Sequence, residues 1–151
     1  MTGDTNSDQT EPVRPRRGAV GVIYQDRRFL VIRRSALVAA PLKYCFPGGT
    51  IESGETEEQA LVRELDEELG VRATPIRRVW ASVTPWKVEL CWWQAQLTQH
   101  DRLAPNPAEV ESVHWYSAEE MLALPELLDS NRAFLAAIAR REIRLNDSTS
   151  E

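Results

Sequence analysis

One short segment of the chain concentrates acidic side chains. Between Val62 and Val71 the sequence reads VRELDEELGV, which includes Glu64, Glu67 and Glu68. On a helix, residues three and four positions apart lie on one side, so these carboxylates should face each other. Like charges at that spacing destabilise a helix by about 0.2–0.5 kcal/mol per pair. Neighbouring arginines or a bound cation must offset that repulsion.

The sequence alone does not decide between neighbouring arginines and a bound cation as the group that offsets the repulsion. Arg63 and Arg72 lie close enough to neutralise an acidic face that is simply solvated. Alternatively, the segment follows the glycine-rich loop FPGGTIESGE, residues 46–55, which can present bare backbone carbonyls. Carboxylates and carbonyls together form an all-oxygen site of the kind that binds Mg²⁺ or Mn²⁺.

The helices that would carry these residues have readable ends. Thr56 starts a capping box and Gly70 lies at a C-terminal cap position, which predicts a helix over 57–69. The leucines at every fourth position of this helix should face the core, so the glutamates lie at the border between core and solvent. Ser117 starts a second capping box, and apolar periodicity predicts a last helix over 131–143.

Apolar runs predict strands on both sides of the acidic helix. Before it, two strands should form a hairpin around Asp26 and Arg27, and a loop, a short strand and a Pro-Gly-Gly turn follow. The predicted strands cover residues 18–25, 28–34, 77–83, 87–97 and 112–117. Strands interleaved with helices indicate the α/β class, with a mixed β-sheet flanked by helices.

Length and charge limit the class of protein. The 151 residues fit one domain, expected over 17–145, with polar, disordered tails at 1–16 and 146–151. The net charge of −5 argues against stable nucleic-acid binding. Because the sequence contains neither a signal-peptide pattern nor an apolar run of about 18 residues, a cytoplasmic protein without a membrane span is expected.

The two cysteines, Cys45 and Cys91, show neither metal-site spacing nor a disulfide framework. Each adjoins an aromatic residue, so both are expected to be buried as small apolar side chains. Reduced cysteines of this kind fit the expected cytoplasmic setting.

The glycine-rich loop and the acidic helix together resemble the Nudix box, the pattern G-x5-E-x7-R-E-U-x-E-E-x-G-U, in which U is aliphatic. Every constrained position is matched, from Gly49 through Glu55 to the segment RELDEELGV at 63–71. The resemblance implies the Nudix fold, an α/β/α sandwich. It also implies a metal-dependent pyrophosphohydrolase that acts on acid anhydrides, cleaving nucleoside diphosphates linked to another group.

The resemblance further implies roles for individual residues. Glutamates of the box would bind Mg²⁺, or Mn²⁺, together with one backbone carbonyl, and a Glu–Arg pair would brace the loop against the helix. Such a cation would offset the carboxylate repulsion and lower the pKa of an attacking water. The implied metal ligands are Glu64, Glu67, Glu68 and the carbonyl of Gly48, and the implied bracing pair is Glu55 and Arg63.

A carboxylate must also accept the proton of the attacking water. Glu64 is one candidate for this catalytic base. Glu109 is another, because MutT-like Nudix proteins carry a glutamate at about this spacing before a strand tryptophan, here Trp115. Glu111 lies in the same segment and is an alternative, and Glu109 could also be a plain solvated loop acid.

Three residues are candidates for substrate binding. Arg34 and Asn131 match positions that contact the substrate in MutT-like members, and Phe46 could stack on a base. Each has a simpler explanation as well. Arg34 could be a solvated charge at a strand end, Asn131 a helix N-cap, and Phe46 a core residue.

Three functions agree with these features. The favoured one is a MutT-like pyrophosphohydrolase of a nucleoside triphosphate or modified deoxynucleoside triphosphate. The second is a hydrolase of ADP-ribose, a nucleotide sugar or a capped RNA end, for which Pro85 marks the loop of interest. The third is a non-catalytic Nudix ligand sensor, which the complete set of box glutamates disfavours. The expected partner is a nucleotide-type small molecule, and the apolar strand around Trp92 and Trp93 leaves a homodimer open.

Overall fold

Two four-stranded β-sheets form the centre of the fold in the computed structural model, which describes residues 16–98 and 102–146. The tails expected at 1–16 and 146–151 lie outside these residues, except for Arg16 and Asn146. The strands are β1 (Arg17–Val22), β2 (Tyr24–Gln25), β3 (Arg28–Arg34), β4 (Tyr44–Cys45), β5 (Gly48–Thr50), β6 (Ala73–Val83), β7 (Glu89–Leu97) and β8 (Val110–Tyr116), and the helices are α1 (Glu57–Leu69), α2 (Ala118–Leu122) and α3 (Asp129–Ala139). No helix within the described residues is both long and apolar enough to cross a membrane.

The first sheet is mixed, as predicted. Its strand order is β5-β1-β7-β6, in which β1 runs parallel to β7 and the other pairs are antiparallel. In the second sheet, β3 pairs antiparallel with β2, β4 and β8. The hairpin predicted around Asp26 and Arg27 is confirmed, and both turn residues adopt left-handed φ angles, 53° and 61°. Two positive φ angles are typical of the tight turns that join twisted antiparallel strands.

Consecutive side chains of β3 alternate between two cores. Leu30 and Ile32 belong to the core that includes the buried leucines of α1, whereas Phe29 and Val31 belong to the core that includes Phe134 of α3. Alternation of this kind follows from the two-residue period of a strand. The helices therefore cover opposite sides of the sheets, as an α/β/α sandwich requires.

The last helix differs from its prediction. It spans Asp129–Ala139 rather than 131–143, and its N-cap is Leu128. The N-cap interpretation of Asn131 is therefore wrong, because this residue lies inside the first turn and is buried. The helix ends early because Arg141 turns into the left-handed region, with a φ of 65°.

The Pro-Gly-Gly segment is a strand rather than the predicted turn. β5 pairs with β1 at such close range that a Cβ on Gly48, whose φ is 149°, would lie 2.1 Å from the carbonyl oxygen of Ala19. Only glycine permits this approach. β6 also begins earlier than predicted, at Ala73, and includes Pro75, which the sheet tolerates because β6 is an edge strand.

Phe134 of α3 should be a major source of stability. Its ring stacks on Trp92, with 4.7 Å between ring centroids, and it is fully buried. We expect Phe134→Ala to lower the free energy of unfolding by about 3–5 kcal/mol, measured by urea denaturation. The control Leu37→Ala removes a side chain that is 80% exposed. It should change stability by less than about 0.5 kcal/mol. Equal effects of the two substitutions would contradict this assignment of the core.

Candidate metal centre and adjoining pocket

The orientation of α1 is set at both ends and along its buried side. The hydroxyl of Thr56 accepts a hydrogen bond from the Gln59 amide and the Gln59 side chain accepts one from the Thr56 amide, which confirms the predicted capping box. Gly70 closes the helix with a φ of 65°. Leu61, Leu65 and Leu69 are fully buried, as predicted. This packing turns the glutamates of the helix toward β5.

Three carboxylates meet beside α1. Glu64 and Glu68 come from the helix and Glu109 from the loop before β8, and one oxygen from each lies within 4.8 Å of the others. We call these three residues the carboxylate cluster. Glu111, the alternative to Glu109, lies on β8 and is exposed. Within the described residues, the cluster is the only group of three acidic, histidine or cysteine side chains close enough to share a metal ion.

Glu67 lies outside the carboxylate cluster. Its side chain is 47% exposed, and its carboxylate accepts a hydrogen bond of 3.2 Å from Nη1 of Arg63. The structure therefore brings together only two of the three box glutamates that the resemblance names as metal ligands, and adds Glu109. Asp66 is exposed on the same helix, as expected for a solvated side chain.

The glycines of β5 lie directly against the carboxylate cluster. The amide of Gly48 donates a hydrogen bond of 3.0 Å to Oε1 of Glu68. The contact that the structure shows for Gly48 is thus made by its amide, whereas the resemblance names its carbonyl. A Cβ on Gly49 would lie 2.3 Å from the carboxylate of Glu64. A side chain at position 49 would therefore have to displace the carboxylate of Glu64.

The surroundings of the carboxylate cluster disfavour its ionised form. Burial, together with the charges of Glu64 and Glu109, raises the pKa of Glu68 to about 8. Burial and the neighbouring acids also raise the pKa of Glu64, although Arg63 opposes this shift. Among the described residues, neither Glu68 nor Glu109 has an ion pair within 4.0 Å. Closely spaced oxygen donors with excess negative charge fit a hard divalent cation.

Arg63 forms the predicted fork onto Glu55. Its Nε and Nη2 donate hydrogen bonds of 2.6 and 2.9 Å to the two oxygens of that carboxylate. These hydrogen bonds, with one from the Glu52 amide, lower the pKa of Glu55 to about 2. Nη1 of Arg63 also contacts Glu64 at 3.0 Å, and Nη2 donates to the carbonyl of Thr50. Arg63 therefore neutralises the outer acids of α1 and ties the glycine-rich loop to the helix.

A pocket of about 310 Å³ adjoins the carboxylate cluster and is lined by the predicted substrate residues Arg34, Phe46 and Asn131. Nε of Arg34 donates to the carbonyl of Ala39 at 2.7 Å. Phe46 is only 3% exposed, and its ring packs edge-on against Trp92. The core interpretation of this ring is therefore what the structure shows, and little of it remains for stacking on a base.

Asn131 joins α3 to the segment between β4 and β5. It is 3% exposed, its Oδ1 accepts a hydrogen bond of 2.9 Å from the Phe46 amide, and its Nδ2 donates to the hydroxyl of Ser130 at 3.1 Å. The hydrogen bond between Phe46 and Asn131 joins residues 85 positions apart in the sequence, so no local sequence pattern could have indicated it.

Several pocket residues were not identified from the sequence. Arg16 and Ser130 line the pocket, although Arg16 falls in the segment assigned to the N-terminal tail. The only available signal was the basic run RPRR at 14–17, which a disordered tail explains equally well.

A second cavity of about 590 Å³ shares Leu128 and Ser130 with the pocket. Its wall includes Pro85 and Trp86 of the turn between β6 and β7, and Trp86 is 79% exposed. We call it the outer groove. Trp92, by contrast, is fully buried, and Cys45 and Cys91 are buried as predicted.

The model of the NUDIX domain family matches residues 14–138. The chain belongs to the Nudix family. Nudix hydrolases generally use divalent metal ions, and the carboxylate cluster is a group of side chains that could bind one. The α/β/α Nudix fold predicted from the sequence is confirmed.

Relatives of this Nudix protein differ in the substrates that their names give. The chain is 50% identical over 54 residues to the 8-oxo-dGTP diphosphatase of Escherichia coli (strain K12), covering 35% of this chain and 42% of that protein. It is 47% identical over 53 residues to the ADP-ribose pyrophosphatase of Methanocaldococcus jannaschii, covering 34% and 30%. The matched part thus spans less than half the length of these curated relatives.

A solved structure supports the fold along almost the whole chain. The MutT protein from Methanosarcina mazei Go1 superposes with a TM-score of 0.72, covering 89% of this chain and 100% of that one. The sequence identity is 19%, so this likeness concerns the fold alone.

Substitution of Gly49 should weaken metal binding while the protein still folds. In Gly49→Ala, the new methyl group should displace the flexible carboxylate of Glu64, since it would lie 2.3 Å away. We expect the Kd for Mg²⁺, measured by calorimetry, to rise about 10–100-fold, the range seen when the support of a metal ligand is lost. Gly18→Ala is the control, because its methyl would meet the flexible end of Leu90 at 3.2 Å. Unchanged affinity in Gly49→Ala would contradict a metal-binding role for the Glu64 carboxylate beside β5.

The raised pKa of Glu68 predicts a pH dependence of stability in chelator-treated protein. Between the ordinary pKa of 4.5 and the folded value of about 8, the folded carboxyl keeps a proton that the unfolded one has lost. Stability should therefore fall as pH rises through this window. Melting temperatures from pH 5 to 8.5 should fall less in Glu68→Gln than in the wild type. Asp66→Asn, at an exposed position, should retain the wild-type slope, and identical slopes in all three proteins would count against the charge imbalance.

Proposed function

We propose that the chain is a Mg²⁺-dependent hydrolase that cleaves the pyrophosphate linkage of a nucleoside diphosphate derivative. The favoured substrate is a nucleoside triphosphate or modified deoxynucleoside triphosphate, cleaved to the monophosphate and pyrophosphate as in MutT-like enzymes. The observation that carries the proposal is the carboxylate cluster, three oxygens within 4.8 Å of one another. Gly48 and Gly49, which contact the cluster, also line the pocket that contains Arg34.

The donor set fits a divalent cation. It consists of carboxylate oxygens on a helix and an anchored loop, and burial, with a smaller contribution from Glu64 and Glu109, raises the pKa of Glu68, so its ionised form lacks compensation without a cation. Glu64, Glu68 and Glu109 would hold the ion, with Glu67 and the carbonyl of Gly48 as further ligands implied by the family. A bound divalent cation would neutralise phosphate charge, polarise the phosphorus–oxygen bond and lower the pKa of an attacking water.

The side chains of the site have distinct tasks in this reaction. The Gly48 amide orients Glu68 through its hydrogen bond to Oε1. A carboxylate accepts the proton of the water that attacks phosphorus, and the bridging oxygen leaves with the other product. Glu64 and Glu109 are both candidates for this base. Arg63 already contacts Glu64 at 3.0 Å, which stabilises its ionised form, whereas Glu109 has no such partner within 4.0 Å in the described residues.

Arg34 and Asn131 support a nucleotide as the substrate. A guanidinium at the pocket wall can bind phosphate oxygens in pairs. Asn131 presents an amide whose orientation is held by the Phe46 amide and Ser130, so its donor group can read an acceptor on a base. The relative named an 8-oxo-dGTP diphosphatase agrees with this choice of substrate class.

The outer groove favours a second candidate, a pyrophosphatase of ADP-ribose or a nucleotide sugar. Such substrates carry a bulky group on each side of the pyrophosphate, and the outer groove offers additional space next to the pocket. Trp86 could stack on that second group. The relative named an ADP-ribose pyrophosphatase agrees with this alternative. A non-catalytic sensor remains the third, and the intact carboxylate cluster disfavours it.

A substrate panel with Mg²⁺ tests these functions directly. We expect pyrophosphate release from canonical or oxidised nucleoside triphosphates. Monophosphate products from ADP-ribose or nucleotide sugars, with triphosphates inert, would instead select the second candidate. No turnover of any member of the panel, with Mg²⁺ still bound, would reject both hydrolases in favour of the sensor.

Loss of one cluster carboxylate should remove activity without unfolding the protein. Glu68→Gln keeps the shape of the side chain and removes its charge. We expect kcat to fall by about 100-fold or more, as for the removal of a charge-stabilising group from an active site. Asp66→Asn, two residues before Glu68 on the exposed side of α1, should retain wild-type turnover. Normal turnover in Glu68→Gln would defeat the metal-site assignment.

A further inference from the structure

Glu109 reaches the carboxylate cluster from outside α1, so its position depends on how its loop is held. One anchor is the end of α1. The amide of Asn106 donates a hydrogen bond of 2.9 Å to the carbonyl of Glu68, and the amide of Ala104 donates one of 2.7 Å to the carbonyl of Leu69. These hydrogen bonds hold residues 104–106 of the loop against the helix, but Glu109 itself takes no part in them.

The second anchor is Ser35, the residue that follows β3. It is only 2% exposed. Its amide donates a hydrogen bond of 3.0 Å to the carbonyl of Glu109, and its hydroxyl donates one of 2.9 Å to the carbonyl of Ala108. The same hydroxyl accepts a hydrogen bond of 3.1 Å from the amide of Leu37. A single buried serine therefore contacts two consecutive carbonyls of the Glu109 loop.

These two carbonyls belong to the peptide planes on either side of the Glu109 Cα. Because peptide units are planar, the orientation of the two planes determines both backbone dihedrals of the residue between them. Those dihedrals set the direction in which the side chain leaves the backbone. Ser35 thus restrains the direction of the Glu109 carboxylate, although it does not contact the carboxylate itself.

The pairing of β8 with β3 explains why this restraint is needed. The register shifts between Arg33, which pairs with Ser112, and Arg34, which pairs with Val110, so Glu111 is passed over. The regular ladder ends there, at Val110, the residue that follows Glu109 in the chain. Beyond that point the hydrogen bonds of Ser35 replace the ladder. Among the described residues, the other backbone hydrogen bond of Glu109 runs within its own loop, from its amide to the carbonyl of Asn106 at 2.9 Å.

We propose that Ser35 is a positioning residue that holds Glu109 against Glu64 and Glu68 for metal binding. The Ser35 hydroxyl also accepts a hydrogen bond from the amide of Leu37, in the loop that follows Arg34. The same loop contains Ala39, whose carbonyl accepts a hydrogen bond from Arg34. Ser35 therefore connects the Glu109 loop to the loop that contacts Arg34. The inference rests on the proposed metal site, but it concerns metal affinity and not the choice of substrate.

A double-mutant cycle with Mn²⁺ as the probe tests this role in the full chain without substrate. The Kd for Mn²⁺ is measured by electron paramagnetic resonance for the wild type, Ser35→Ala, Glu109→Gln and the double variant. We expect Ser35→Ala to raise the Kd about tenfold, as for other residues that orient a metal ligand. Because Ser35 acts through Glu109, the double variant should bind Mn²⁺ no more weakly than Glu109→Gln alone.

Two further variants separate positioning from general stability. Ser35→Thr keeps the hydroxyl and should restore wild-type affinity. Ser112→Ala is the matched control, because it removes a hydroxyl of β8 that contacts His114 at 2.8 Å and not the Glu109 loop. It should leave the Kd unchanged. If Ser35→Ala does not fold, Ser35→Cys keeps the volume, replaces the hydroxyl with a weak thiol donor, and should show the same increase in Kd.

The outcomes distinguish this inference from the proposed function. Wild-type affinity in folded Ser35→Ala, or effects of Ser35→Ala and Glu109→Gln that multiply in the double variant, would overturn the positioning role. Absence of Mn²⁺ binding in the wild type would overturn it together with the metal site. Mn²⁺ binding with the expected cycle, but no hydrolysis of any panel substrate, would instead reject the proposed reaction and retain the role of Ser35.

Discussion

The close approach of β5 to α1 is the contact on which the rest of the site depends. Gly49 lets the backbone of β5 lie against the Glu64 carboxylate of the helix, and Gly48 lets β5 lie close against β1. Gly48 donates its amide to Glu68, and Gly49 leaves no room for a methyl group beside Glu64. Acids that would otherwise repel each other in solvent are thereby held together next to a pocket. The arrangement stores electrostatic repulsion that a cation can relieve.

The two explanations of the acidic helix turn out to apply to different residues. Arg63 neutralises the acids nearest to solvent, Glu55 and Glu67, and reaches Glu64 as well. Glu68 and Glu109 lie beyond its reach. An arginine therefore stabilises the outer part of the acidic surface, and the inner part keeps the excess charge that suits a divalent ion. The pKa shifts agree with this division, because that of Glu55 is lowered and that of Glu68 is raised.

Local patterns predicted those parts of the structure that depend on local interactions. The bounds of α1 follow from Thr56, Gln59 and Gly70, and its buried side follows from the spacing of its leucines. Contacts between distant segments were not predictable in this way. Asn131 has the residue type of an N-cap, but its side chain bonds instead to Phe46, far away in sequence. Ser35 has no recognisable motif, since its partners Ala108 and Glu109 become neighbours only when β3 and β8 pair.

The outer edge of the first sheet has a consequence for self-association. β6 ends that sheet, and its register shifts twice along its pairing with β7, between Pro75 and Arg77 and again between Arg78 and Trp80. A proline lacks an amide to donate, bulges twist an edge out of line, and arginines repel a second strand of the same sequence. A second copy of the chain therefore finds no straight, complementary backbone along β6. At this edge, the hydrogen-bonded ladder of the sheet therefore does not extend readily from one copy into the next.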